Sequence, residues 1–258
     1  MKEHTDNVRK IKYRVAVTCA AEKAQRWLID ALFPRRCPVC DRIVEPKAEM
    51  ICSTCRKELV FIEEPVCKVC GRQLSSEEQE LCHHCERHHF RFEYAISLMN
   101  YNETAARSLA AVKYRHRREY LAYYAMETAE RLGPKFLRMR LDALIPVPVH
   151  EERLRERGYN QAEVLAEDIG KRLGIPVYAA ALGRRKNTKA LKELNAGQRL
   201  KNLTAAFYSG YIPPDVRNVC IVDDIFTTGA TMEACTRLLL EAGVERVYCF
   251  SLSIRTDI

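Results

Sequence analysis

Asp223 and Asp224 stand side by side, and Thr227, Thr228, Gly229, Ala230 and Thr231 follow them after two residues. Ionised carboxylates only accept hydrogen bonds, so this pair suits the vicinal hydroxyls of a ribose or a Mg2+ bound to them. The threonines add hydroxyl donors, and Gly229 lets the backbone approach an anion closely. Val219-Cys220-Ile221-Val222 before the pair reads as a buried strand, and Thr231 to Ala242 after it reads as an amphipathic helix. The first N–H groups of a helix are unpaired and lie at the positive end of its dipole, so they hold phosphate well. The chemistry that fits is recognition of a phosphorylated sugar. An ordinary strand-to-helix turn with an acidic N-cap is the plainer alternative.

A second set of residues suits metal. Of twelve cysteines, eight form the pairs Cys37/Cys40, Cys52/Cys55, Cys67/Cys70 and Cys82/Cys85, whose first members recur every fifteen residues. A CxxC turn presents two thiolates on one side of a knuckle, and two knuckles complete a tetrahedral Zn2+ site. This region has little apolar material for a core, so metal must supply the folding energy, about 10–16 kcal/mol per structural site. The spacing predicts two structural zinc ions in a double zinc ribbon. Pairing first with second and third with fourth closes the shortest loops, and cross-braced pairing is the alternative. His83, His84, His88 and His89 are expected at the surface, because four thiolates already suffice. Cys220 and Cys249 read as small core residues, and Cys19 and Cys235 lack partners at ligand spacing.

The elements that position these groups are legible around them. A chain of 258 residues can hold one α/β domain plus a small module. The division expected is a polar tail and amphipathic helix over 1–35, the ribbon over 36–90 and the α/β domain over 91–258. Within the first segment, residues 22–33 carry apolar positions at helical spacing, and Pro34 stops them. Strands are predicted over Tyr94–Tyr101, Asp142–Val149, Val177–Ala181 and Val247–Ile254, besides the strand before Asp223. Helices are predicted from Ala105, over Glu119–Leu132 ending at Gly133-Pro134, and over Ala162–Leu173 capped by Gly174. Arg153–Gln161 reads as a basic loop, Gly183–Ala196 as a polar basic stretch and Gln198–Asn202 as a short helix. Alternating strands and helices with continuous apolar strands imply a parallel sheet covered on both faces, with ligand beyond the C-terminal ends of its strands.

The net charge of +8 favours polyanionic partners. Lys113, Tyr114, Arg115, Arg117 and Arg118 interleave with His116, Tyr120, Tyr123 and Tyr124, as a single-strand DNA surface would. An ordinary helix with an aromatic core face accounts for some of the same tyrosines. No segment has the roughly eighteen apolar residues that span a bilayer. Val15–Ala21 is too short for a signal peptide, so a cytoplasmic location with reduced cysteines is expected.

The strand, the acidic pair and Thr227-Thr228-Gly229-Ala230-Thr231 resemble the signature of type I phosphoribosyltransferases for 5-phosphoribosyl 1-diphosphate (PRPP). Adding the CxxC pairs, Val112-Lys113-Tyr114-Arg115, Ile145-Pro146-Val147-Pro148 and Arg153…Arg157-Gly158-Tyr159-Asn160-Gln161, the chain resembles the ComF family from about residue 27 onward. The resemblance implies a phosphoribosyltransferase-like parallel sheet behind the double zinc ribbon. Asp223 and Asp224 become the catalytic candidates, on the ribose hydroxyls or their Mg2+. Thr227, Thr228, Gly229, Ala230 and Thr231 become the 5′-phosphate cradle, and Arg157, Asn160 and Gln161 contact PRPP. Arg184, Arg185 and Lys186 fall where such enzymes carry a mobile loop. The implied role is handling single-stranded DNA in natural transformation, beside a competence helicase; related nutrient-utilisation proteins share the architecture. An active phosphoribosyltransferase of nucleotide metabolism is the alternative, although no nucleobase pocket stands out and Phe226 and Phe250 read equally well as packing residues.

Overall fold

The computed structural model describes residues 34–46, 48–185 and 204–256. The expected helix over 22–33, Cys19, Lys186 and the expected helix at 198–202 lie outside them. Two compact units divide the chain, Met1–Cys52 and Ser53–Ile258. In the first, an Arg36–Ile43 bridge frames a knuckle. The Cys37 N–H donates to Arg42 O at 2.8 Å and the Asp41 N–H to Cys37 O at 3.0 Å, with Asp41 at φ 60°.

The second unit repeats that design and adds the sheet. A Val66–Gln73 bridge frames the knuckle, Cys67 N–H donates to Arg72 O at 2.8 Å, and Gly71 takes φ 71°. Gly71 has two reasons to be glycine. Its φ is left-handed, and a Cβ there would lie 2.5 Å from Ala95 O. Short helices α1 (Ser53–Glu58) and α2 (His83–Arg87) carry Cys55 and Cys85.

Strands β1 (Ala95–Asn100), β2 (Ala143–Pro146), β5 (Asn218–Phe226) and β6 (Arg246–Ile254) form a parallel sheet in the order β1-β6-β5-β2. Val219 to Val222 are fully buried, because helices cover both faces. On one face lie α4 (Leu121–Met139), which packs against α6 (Gln161–Leu173), with Phe136 meeting Phe250 of β6 at 5.5 Å between ring centroids. On the other, α7 (Ala230–Glu241) shares a core with Ile145, Ile221 and Cys249. A small antiparallel pair, β3 (Leu182–Arg184) with β4 (Phe207–Ser209), completes that side. Leu144 also bridges in parallel to Val177. The chain therefore leaves β2 outward to Val177 and returns inward to β5. The order reverses between β2 and β5, where an open α/β sheet binds its ligand.

Four sequence expectations need correction. Helix α4 does not end at Gly133-Pro134 but runs to Met139. Phe136 and Met139 beyond the proline are 1% and 2% exposed. Burying them contributes about 1.5–3 kcal/mol each, enough to offset the roughly 3 kcal/mol cost of an internal proline. The basic stretch from Arg153 is not a loop but part of helix α5 (Glu151–Arg157), opened by His150 and closed by Gly158 at φ 78°. The strand expected at Val177–Ala181 is a single bridge followed by a 3-10 turn, Ala179–Ala181. Tyr120, Tyr123 and Tyr124 are core residues, none more than 3% exposed, so they offer no stacking surface. They line the inward face of α4 and the 3-10 turn before it, and the Tyr124 hydroxyl pairs with Ser108 Oγ at 2.6 Å within helix α3 (Glu103–Tyr114).

Candidate sugar-phosphate site and metal centres

The acidic pair lies in the C-terminal half of β5 at that reversal point, with the chain beyond β2 alongside, where the Val147 N–H donates to Val222 O at 2.9 Å. Asp223 Oδ1 accepts the Asp224 N–H at 2.8 Å, and Asp224 is only 6% exposed. Burial first, and the Asp224 charge second, push the Asp223 carboxyl well above the usual carboxylate range. Asp223 itself is half-buried. Lys113, from the last turn of α3, forms an ion pair with Asp224 Oδ2. That contact lacks the direction of a hydrogen bond, which leaves Oδ2 buried without one. Two carboxylates and no softer donor fit a hard cation such as Mg2+. A divalent ion there would offset the mutual repulsion that raises Asp223.

The turn after β5 presents the groups an anion needs. Thr227 and Thr228 are exposed, Ala230 and Thr231 half-buried and Gly229 buried. Gly229 takes φ 78° at the N-cap of α7, and a Cβ there would lie 2.7 Å from Phe226 Cζ and 2.9 Å from Phe90 Cε1. No side chain caps α7, whereas Asn102, His150 and Asn160 cap α3, α5 and α6. The first amides of α7 are thus left to a ligand or water.

Sequence reasoning missed the support behind this turn. His84 Nε2–H donates to Thr228 O at 3.1 Å, and Phe90 fills the space against Gly229. The Arg91 N–H donates to Glu233 Oε2 at 2.8 Å, and Phe92 meets Phe226 edge-on. His84 is held below its ordinary pKa by burial, consistent with a neutral ring that donates through Nε2. Its signal in the sequence was only proximity to a cysteine pair, which suggested a surface residue; His83, His88 and His89 are indeed exposed.

The cysteines gather as Cys37, Cys40, Cys52, Cys55 and as Cys67, Cys70, Cys82, Cys85, so pairing is sequential. Within each set all sulfurs lie within 4.8 Å of one another, and Cys40–Cys52 and Cys70–Cys82 are 3.8 and 3.6 Å apart. A zinc with sulfur at about 2.3 Å places tetrahedral ligands about 3.8 Å apart, so both sets fit Zn2+. In the second set, hydrogen bonds from Cys70 and Cys85 hold the Cys67 thiol down, and the bond to Cys67 pushes Cys85 up. Four such sulfurs ionise together only around a cation.

Comparison with known proteins agrees with this architecture. Residues 28–86 match a double zinc ribbon domain and residues 160–254 a phosphoribosyl transferase domain. The chain is 35% identical over 135 residues to Competence protein F of Haemophilus influenzae, covering 52% of this chain and 58% of that protein. It is 28% identical over 147 residues to Competence protein ComFC of Bacillus subtilis, covering 57% and 58%. The chain is similar to these ComF-type competence proteins. It is also 32% identical over 111 residues to DNA utilization protein YhgH of Escherichia coli K12, covering 43% and 48%. The matches to the two competence proteins span 58% of each relative's length.

Within this fold the remaining candidates take different places. Arg157, Asn160 and Gln161 are 9%, 8% and 7% exposed, and their side chains bond to protein. Arg157 Nε–H donates to Lys113 O at 2.9 Å and its guanidinium bonds Gln161 Oε1. Asn160 caps α6 through the Ala162 N–H at 3.1 Å and donates to Val147 O at 3.0 Å. The Tyr159 hydroxyl bonds Val112 O, and His116 Nδ1–H donates to Arg157 O at 3.1 Å. The segment therefore clasps the end of α3. Lys113 leaves the expected surface set for the pocket. Tyr114 is 66% exposed, Arg115 and Arg118 are exposed, and Arg117 lies half-buried 3.5 Å from Glu119. Arg184 and Arg185 are exposed, with the Arg184 guanidinium 5.3 Å over the Phe207 ring. No helix among the described residues is long and apolar enough to cross a membrane.

Proposed function

We propose that this protein handles single-stranded DNA in natural transformation and retains a pocket for PRPP or a related sugar phosphate with Mg2+. The observation that carries the pocket is the uncapped start of α7 behind Gly229, next to half-buried Asp223 and buried Asp224. In this reading the first amides of α7 and the Thr227, Thr228 and Thr231 hydroxyls bind the 5′-phosphate. Asp223 and Asp224 take the ribose hydroxyls or their Mg2+. The names of the competence and DNA-utilisation relatives support the DNA role, and Tyr114, Arg115, Arg117 and Arg118 supply a basic surface with one open aromatic face. The reading also includes a cytoplasmic location, a helicase partner and three segments, 1–35, 36–90 and 91–258.

Calorimetry with PRPP–Mg2+, repeated with an oligonucleotide bound, tests this function. Micromolar binding of both supports it, and failure to bind either removes the corresponding half. Changing Arg115, Arg117 and Arg118 to Ala should weaken oligonucleotide binding and flatten its salt dependence. Unchanged binding sinks the surface. Pentosyl transfer from PRPP is the second reading, favoured by the acidic pair beside the phosphate turn. Release of diphosphate with a free base supplied would establish it.

A further inference from the structure

Lys113 is held at its main chain and at its side-chain tip. Its main chain is fixed, because Arg157 Nε–H donates to Lys113 O and the Tyr159 hydroxyl bonds Val112 O one residue earlier. Its side chain, 20% exposed, reaches Asp224 Oδ2, an oxygen with no hydrogen-bond partner among the described residues. A lysine stem is flexible and ends in a point charge, so with its Cα pinned only the ammonium is free to swing. The place it occupies is the place a divalent ion on the acidic pair requires.

We propose that Lys113 is the resident cation of this pocket. It neutralises Asp224 while the pocket is empty, yields that carboxylate to the divalent ion of an incoming metal–phosphate complex, and moves its ammonium to the phosphate. This rests on the sugar-phosphate reading of the turn. It explains why a family-like segment, Arg157 to Gln161, is spent on clasping α3 rather than on reaching the pocket. No bond is made or broken; two cations exchange on one carboxylate, and phosphate receives the one displaced.

Titrating the full chain with Mn2+ alone, followed by the loss of its free-ion paramagnetic resonance signal, tests the first half. Lys113→Met should bind Mn2+ at least tenfold more tightly than the unaltered protein, and adding Asp224→Asn should abolish the gain. Lys113→Arg, which keeps the charge, should stay weak; should Lys113→Met fail to fold, Lys113→Gln replaces it. Unchanged or weaker Mn2+ binding in a folded neutral variant overturns the proposal. The second half predicts a tenfold or larger loss of affinity for PRPP–Mg2+ in the same variant, and unchanged affinity overturns the transfer to phosphate. If the unaltered protein does not bind PRPP–Mg2+ although the Mn2+ gain appears, the sugar-phosphate reading falls while the cation role stands.

Discussion

The turn from Asp223 to Thr231 and the segment from Arg157 to Gln161 both lead into a helix, and both carry groups able to hold an anion. They face opposite ways. At α6, Asn160 caps the helix and binds Val147 O, so the helix start is already satisfied. At α7, Gly229 brings no side chain, and the first amides are open. A helix start attracts a ligand only when its own chain leaves it unpaired. Polar residue types are shared by both segments; the direction of their bonds separates them.

The sharpest way to break this contrast is at the acidic pair. Replacing Asp223 and Asp224 with Asn should weaken PRPP–Mg2+ binding at least about a hundredfold, roughly 2.7 kcal/mol, by calorimetry. Oligonucleotide affinity should change little if DNA uses the Tyr114–Arg118 surface. Gly229→Ala comes next. Its Cβ would clash with Phe226 and Phe90 at positive φ, so phosphate affinity should fall on the order of tenfold, with strain of about 1–3 kcal/mol lowering the melting temperature.

Arg157→Ala should act through stability. It leaves Lys113 O and Gln161 without their donor, at about 1–3 kcal/mol for each buried group left unpaired. Melting should fall by several degrees while affinity in the folded protein falls less than in Gly229→Ala. A hundredfold loss of affinity at unchanged melting temperature would place Arg157 on the ligand and end the contrast. His84→Ala removes one hydrogen bond behind the turn, about 1 kcal/mol, so a loss of about fivefold in phosphate affinity is expected.

The smallest effect concerns pH. The Asp223 carboxyl titrates above its unfolded value of about 3.9. Its contribution to stability is therefore full below about pH 4 and is lost as pH rises through the raised folded value. Thermal melting across that window should show Asp223→Asn gaining on the unaltered protein. A gap that does not change with pH would mean Asp223 ionises as freely in the folded chain as in the unfolded one.

Much of this was legible along the chain. The β5–turn–α7 unit was readable because each cue is local: a continuous apolar strand, a glycine where φ is positive and a helical apolar period. Gly158 and Asn160 carried an equally local message, a C-cap followed by an N-cap, which marks the hinge between α5 and α6. Their basic and amide neighbours suggested a ligand-binding loop instead. Tyr123 and Tyr124 were ambiguous for a related reason, since aromatic residues among arginines look alike whether they stack on bases or fill a core.

By itself the sequence determined the four CxxC pairs, the acidic pair and the glycine turn after it, because spacing within a knuckle or turn is set by backbone geometry over a few residues; which knuckles share a metal took the tertiary structure. Only the tertiary structure decided which polar groups face the crevice. It turned Arg157 and Gln161 inward, brought Lys113 to Asp224 across more than a hundred residues of chain, and set His84 and Phe90 behind Gly229. Buried charges and amides must find partners wherever the fold puts them, and those partners are not neighbours in the chain.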